Sequence, residues 1–196
     1  MADANSAAQV LVGKPKVTGG IRFAPLGTTM PTDAKSELNA KFENAGYVSE
    51  DGLVETIDAS DDKIKAWGGD IVKIVRTEHS VSYIFTLIES ASATALKLLF
   101  GEENVTVTAA TSTKGRQITV KKTAAMTPRR AFVFDMADLP AAIRVAIEDG
   151  QPSISGDVNF TDGDAIAYEV TVEAFPNAQG VKSTLMIDDG VTTAAP

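Results

Sequence analysis

The sequence predicts a mainly β fold: a β-sandwich or open barrel flanked by one α-helix, with a long inter-strand loop and extended N- and C-terminal arms. Three observations point there. Short runs of alternating apolar and polar residues recur through the second half of the chain, separated by turn signals at intervals of roughly 8 to 12 residues. A single segment, 90–100, combines helical spacing with residues suited to both caps. Residues 46–70 hold neither period.

The 196 residues, 44% of them hydrophobic, suffice for one domain with a core of its own. Residues 1–17 are small, polar and aperiodic and read as an arm. A β domain over 18–176 follows, and 177–196 form a second arm with a strand-like centre at 183–187. Within the domain, 21–24 is a short apolar strand between glycines and prolines. Asp33 then caps a short helix over 34–42, with Ala34, Leu38 and Phe42 at helical spacing.

The stretch from Gly46 to Asp70 comes next. Irregular loops beyond roughly 12 to 15 residues are usually functional or disordered. Tyr47, Leu53, Ile57, Ile64 and Trp67 give this one too much apolar surface for disorder. It reads as a docking loop, with Glu50 and Asp51 in a glycine-flanked turn and Lys65 and Asp70 bracketing the far end. Trp67 is open to two readings, core side chain or interface anchor. Its place in an irregular stretch and the enrichment of tryptophan in binding hot spots support the second.

Beyond the loop, 71–75 is β-rich, and Val81, Tyr83, Phe85 and Leu87 alternate with Ser80, Ser82 and Thr86 as a half-buried strand. Ser90 caps the helix, Ala95, Leu98 and Leu99 line one stripe, and Gly101 ends it. Strands are expected over 105–109, 116–123, 130–135, 143–147, 154–160 and 166–175. The segment 141–149 has helical propensity, but Ile143, Val145 and Ile147 alternate, which favours a strand. The last two strands are joined by Thr161-Asp162-Gly163-Asp164 as a hairpin.

Composition removes several function classes. With no cysteine there is no disulfide framework, thiol nucleophile or Cys-ligated metal. No apolar run is long enough for a membrane-spanning helix. The N-terminal stretch lacks the basic and apolar regions of a secretory signal, so use without export is expected. A formal charge of −8 disfavours nucleic-acid binding, which runs on Lys and Arg.

Catalysis has little to stand on. His79 is the single histidine, and Glu78 and Ser80, adjacent on a strand, point to the opposite face, so no Ser-His pair forms within it. Phosphate-loop and nucleophile-elbow motifs are absent. The acidic turns suggest calcium, but the nearest approach to a calcium loop, Asp157-x-Asn159-x-x-Asp162-Gly163, has a displaced ligand and lacks its closing glutamate. Asp-Gly is in any case ordinary turn chemistry. No metal or cofactor is expected. Arg129-Arg130 is either a solvated strand start or a salt-bridge partner for the acidic loop of another subunit. In the last hairpin Glu169, Thr171 and Glu173 oppose an apolar face, as do Asp157 and Asn159 in the partner strand. This polar face is either simply solvated or a wall that must not hold a polyanion.

Residues 23–34 (FAPLGTTMPTDA), 46–53 (GYVSEDGL), 64–70 (IKAWGGD), 85–90 (FTLIES) and 166–176 (AIAYEVTVEAFP) together resemble the major tail tube proteins of long-tailed, siphovirus-type phages of actinobacteria. The similarity spans most of the chain in the same order. It implies a tail-tube-like β-sandwich whose subunits form rings, usually hexameric, stacked into the hollow tube through which the genome leaves. It also implies virion localisation after assembly in the host cytoplasm, no enzymatic activity, and double-stranded DNA that transits the lumen without specific binding. Implied partners are further copies of the chain together with tape measure, tail terminator and baseplate or tail-tip proteins. The 46–70 stretch would then clasp a neighbouring subunit, and Asp157, Asn159, Glu169, Thr171 and Glu173 would face the lumen. The reading from a different class is a carbohydrate- or calcium-binding β-sandwich module.

Overall fold

The computed structural model describes residues 9–16 and 19–192. The arm expected over 1–17 therefore lies mostly outside the described residues, as do positions 193–196 of the C-terminal arm. In chain order the elements are β1 (Lys14–Pro15), β2 (Ile21–Pro25), β3 (Glu43–Asn44), β4 (Val48–Lys65), β5 (Ile71–Leu87), α1 (Ala93–Phe100), a 3-10 turn (Glu102–Asn104), β6 (Val105–Thr108), β7 (Gln117–Val120), β8 (Arg130–Asp138), β9 (Ala141–Ile154), β10 (Tyr168–Ala174) and β11 (Thr184–Asp188).

Among the described residues, nine strands form one antiparallel sheet in the order β3-β2-β8-β9-β10-β5-β4, with β1 added on β8 and β11 on β9. β6 and β7 form a separate hairpin. Alternation decides which side chains are buried. Val81, Tyr83, Phe85 and Leu87 of β5 meet Val170, Val172 and Ala174 of β10 and Phe132, Phe134, Val145 and Ile147 of β8 and β9 in the main core. α1 closes it with Ala95, Leu98 and Leu99. The aromatic contacts at the centre, Tyr83–Phe134 at 5.3 Å and Phe85–Phe134 at 5.9 Å, are tilted or edge-on, the arrangement ring quadrupoles prefer. The mainly β expectation with one flanking helix holds.

A smaller core lies on the reverse face, where Ala24, Ala131 and Val133 are covered by Phe42, Leu38 and Met30. Here the sequence expectation of a helix over 34–42 is corrected: the segment is turns and bends. Asp33 does cap, its Oδ1 accepting from the amides of Lys35 and Ser36. The carbonyls of Asp33 and Ser36, however, accept from Arg144 Nη1 at 2.9 Å each instead of from helical amides. The guanidinium, with 1% of the side chain exposed, also bonds both carboxylate oxygens of Asp135 at 2.5 and 3.2 Å. A buried cation needs acceptors on all sides, and those acceptors are what a helix would have used.

Two further expectations change. The 46–70 stretch is not an irregular loop but mostly β4, which pairs with β5 along nearly its whole length. The register shift between Val48 and Leu53 puts extra residues into β4, and both faces of its outer half are solvated, so no single period survives in the sequence. The strand expected over 154–160 is instead the end of β9, which pairs with β10 through Val170↔Ile154 to Ala174↔Gly150. The hairpin is real but its connection runs over 155–167. Gly150 and Pro152 interrupt the apparent strand pattern, and tertiary pairing carries β9 through them. The helix begins at Ala93 behind Ser92, whose side chain accepts from the Ala95 amide, two residues later than the expected Ser90 cap.

Candidate functional site

The outer half of the β4–β5 ribbon leaves the body of the molecule. Every residue from 58 to 79 is exposed. From the pair Ile57↔Val81, where Val81 is the outermost buried side chain of β5, to Lys65↔Ile71 β4 advances eight residues, roughly 26 Å at 3.3 Å each. The tip is closed by the Ala66 amide donating to the Asp70 carbonyl at 2.7 Å and the Gly69 amide to the Ala66 carbonyl at 3.0 Å. Gly68 and Gly69 have φ of 115° and 99°, which side-chain-bearing residues rarely adopt. That geometry displays Trp67, which is fully exposed at 107%. The core reading of Trp67 is therefore excluded within the subunit.

The other docking candidates divide by position. Ile57, Ile64, Lys65 and Asp70 are exposed along the ribbon. Tyr47, 75% exposed, and Glu50 and Asp51 sit at its root, the last accepting from Ser49 Oγ at 3.3 Å. Leu53 is turned inward against the main core. Midway, Arg76 donates to Asp61 at 2.9 and 3.4 Å and holds that carboxyl below its usual range. At the root Tyr83, its hydroxyl bonded to Glu55 and Ser183, has its acidity suppressed first by burial and then by the Glu55 carboxylate.

Arg129 and Arg130 have partners inside the subunit. Arg129 donates to Asp149 at 2.8 Å and lies 3.7 Å over the Phe175 ring; Arg130, 7% exposed, donates to Glu102 at 3.0 Å.

The polar face has a different extent from the expected one. Glu169, Thr171 and Glu173 alternate with buried Val170, Val172 and Ala174 on β10. They sit beside Thr86, Ile84 and Ser82 of β5 on one side, and Thr171 and Glu173 beside Ser153 and Gln151 of β9 on the other. β4 extends the face with Val54, Thr56 and Asp58. Asp157 and Asn159 lie on the 155–167 connection, not on this strand face. Sequence reasoning missed Gln151, Ser153 and Thr56, which enter only through strand pairing. The result is a wall rich in hydroxyls, edged by carboxylates.

His79 is exposed on the ribbon, and its carbonyl accepts from Lys182 Nζ at 2.5 Å. Among the described residues no group of three or more His, Cys, Asp or Glu is placed to hold a metal, so the acidic turns do not converge. No helix among them is long and apolar enough to cross a membrane.

A projecting ribbon with an uncovered tryptophan at its tip and a sheet face without apolar cover are parts suited to contact with other molecules. Comparison with known proteins agrees: the model of the family described as phage tail tube protein matches residues 4–195. No curated protein matches the chain. The chain thus belongs to the phage tail tube protein family, as a structural component of the virion tail.

Proposed function

We propose that this tail tube subunit assembles into stacked rings, hexameric in copy number, whose bore conducts double-stranded DNA during ejection. The observation that carries the reading is Trp67, held fully in water at the end of a ribbon roughly 26 Å long. An exposed tryptophan gains its full hydrophobic stabilisation only when another surface covers it. In the tube, that surface belongs to a neighbouring subunit, and Tyr47, Ile57 and Ile64 extend the contact toward the root.

The open outer edge of β4, a liability in a monomer, is useful where neighbours complete the layer. Glu169, Thr171 and Glu173 face the lumen, where carboxylates repel phosphates and keep the passing duplex from binding the wall. Tape measure, tail terminator and baseplate or tail-tip proteins cap and fill the tube, and assembly takes place in the host cytoplasm before incorporation into the virion.

Electron microscopy of the purified full chain tests this. Rings or tubes are expected, with Glu169 and Glu173 on the inner surface of a reconstruction. A species that stays monomeric at all concentrations, or those two side chains on the outer surface, overturns the reading.

A further inference from the structure

The charge of this acidic chain is unevenly divided in a way that tail-tube assembly alone does not require. From 105 to 134 there is no carboxylate, while Lys114, Arg116, Lys121, Lys122, Arg129 and Arg130 give the stretch a formal charge of +6 within a chain of −8. The reverse holds on β4. From 50 to 62 there is no cation, while Glu50, Asp51, Glu55, Asp58, Asp61 and Asp62 contribute −6.

Folding consumes only part of each set. Arg129 and Arg130 are paired with Asp149 and Glu102, and Asp61 with Arg76. Lys114, Arg116, Lys121 and Lys122 take part in no ion pair among the described residues, nor do Glu50, Asp51, Asp58 and Asp62. Arg116 reaches only the Ala91 carbonyl at 3.4 Å, and Lys122 lies 5.9 Å over the Phe100 ring. The unpaired cations sit on the β6–β7 hairpin and the irregular segment that leaves it, where residues 106–117 and 121–126 are all exposed. Lys114 and Arg116 stand at the tip and Lys121 and Lys122 at the root, roughly 17 Å away for five residues of strand. The unpaired carboxylates are likewise in two groups, Glu50–Asp51 and Asp58–Asp62, along the terminal strand of the sheet. Apolar side chains accompany both: Val107 and Met126 on the arm, Val54 and Ile57 on the edge, all exposed.

We infer that the β6–β7 arm of one subunit docks along the β4 edge of another copy, forming an electrostatic seam between subunits. This rests on the tube-assembly reading and names one of its contacts. Two different patches meet, so the contact is heterologous and propagates instead of closing as a dimer. A polyanion is the poorer occupant of the arm, because the rest of the chain carries a formal −14, the difference between −8 and +6, and repels it.

The test uses the full chain in four-residue charge reversals. The arm variant is K114E/R116E/K121E/K122E and the edge variant is E50K/D51K/D58K/D62K. Four exposed ion pairs, each worth a factor of about 2, multiply to a critical concentration for tube growth raised on the order of 10-fold, and reversal adds repulsion to that loss. Each variant alone should melt like wild type and fail to elongate, and a 1:1 mixture should elongate again, because each reversed surface then meets its complement. Wild-type tubes with normal growth of either variant, or two defective variants that do not rescue each other, overturn the seam and leave the tube reading standing. Absence of wild-type tubes overturns both. If a reversal variant does not fold, K121Q/K122Q replaces it: the seam requires wild-type assembly to weaken with added salt and the neutral variant to weaken less, and equal salt slopes overturn it. A mobility shift of duplex DNA by wild type that the arm variant loses, with tube growth unchanged, assigns the arm to nucleic acid and overturns the seam.

Discussion

Replacing Trp67 with alanine separates folding from assembly. In the free subunit Trp67 is fully exposed, so its loss should move unfolding free energy by no more than about 0.5 kcal/mol, the range of neutral surface substitutions. In the tube the accounting differs. A tryptophan covers about 150 to 250 Å² when buried, which at roughly 25 cal/mol per Å² is about 4 to 6 kcal/mol before ordering costs. Immobilising the side chain and the tip takes back about 0.5 to 1.5 kcal/mol for each ordered side chain, leaving about 2 to 4 kcal/mol, the size of an interface hot spot. At 1.4 kcal/mol per decade, that raises the critical concentration about 30- to 1000-fold. The assay is elongation followed by light scattering across subunit concentration and confirmed by electron microscopy, beside thermal unfolding of the unassembled subunit. Trp67→Phe should recover part of the loss. Elongation equal to wild type refutes the argument that Trp67 is covered by a neighbour; a collapse of subunit stability refutes the claim that the subunit itself does not use it.

Further outcomes follow from the packing. Arg144→Ala leaves Asp135 buried without its cation and frees the carbonyls of Asp33 and Ser36, so it should cost about 3 to 5 kcal/mol in urea unfolding; a loss below about 1 kcal/mol contradicts the role given to this pair. Gly150→Ala places a Cβ 2.8 Å from both Phe132 Cδ2 and Val172 Cγ1, and should destabilise by about 1 to 3 kcal/mol, read from the same transition; a neutral result means that the β9 backbone relaxes freely at this point. Asp188 is held below its usual carboxyl range first by Lys35, and Asp33 first by the Lys35 amide. A lowered folded-state value stabilises above the unfolded carboxylate pKa and is lost as pH falls through the folded one, so the tie between the 33–42 segment and β11 should loosen only in acid below about pH 4. Carboxyl NMR titration should place both midpoints under the ordinary 3.8, and a midpoint at or above that value refutes the assigned contacts.

Much of the architecture could be read before folding because it rests on local periods. Val81, Tyr83, Phe85 and Leu87 alternate strictly and are buried as expected; Ala95, Leu98 and Leu99 follow a helical stripe and close the core. β6, β7, β8, β10 and β11 fall near their expected places because turn residues punctuate them, whereas β9 runs on through Gly150 and Pro152. The 34–42 segment departs from its helical pattern for a physical reason: the spacing of Ala34, Leu38 and Phe42 is real and all three pack inward, but Arg144, more than 100 residues away, takes the carbonyls that a helix needs. Apolar spacing reports which side chains go inside. It is silent about who receives the backbone.

The candidate contact surfaces divide along the same line. Local sequence singled out Trp67, the acidic pair Glu50–Asp51 and the alternation of Glu169, Thr171 and Glu173, because each is encoded within a few residues. Gln151 and Ser153 join the polar face, and Asp157 and Asn159 leave it, only because β9 pairs with β10 in a register that places the connection at 155–167.

The sequence by itself determined a mainly β subunit with one helix, an apolar-studded 46–70 stretch and a charge balance hostile to polyanions, all of them properties of composition and short-range spacing. Only the tertiary structure decided that this stretch is a paired strand carrying Trp67 into water, and that the basic arm and the acidic edge each retain charges without partners. β5, the next strand in the chain, satisfies the backbone of β4 on one side although neither outer half carries a period, and the contacts made on folding settle which charges are spent there and which remain for a neighbour.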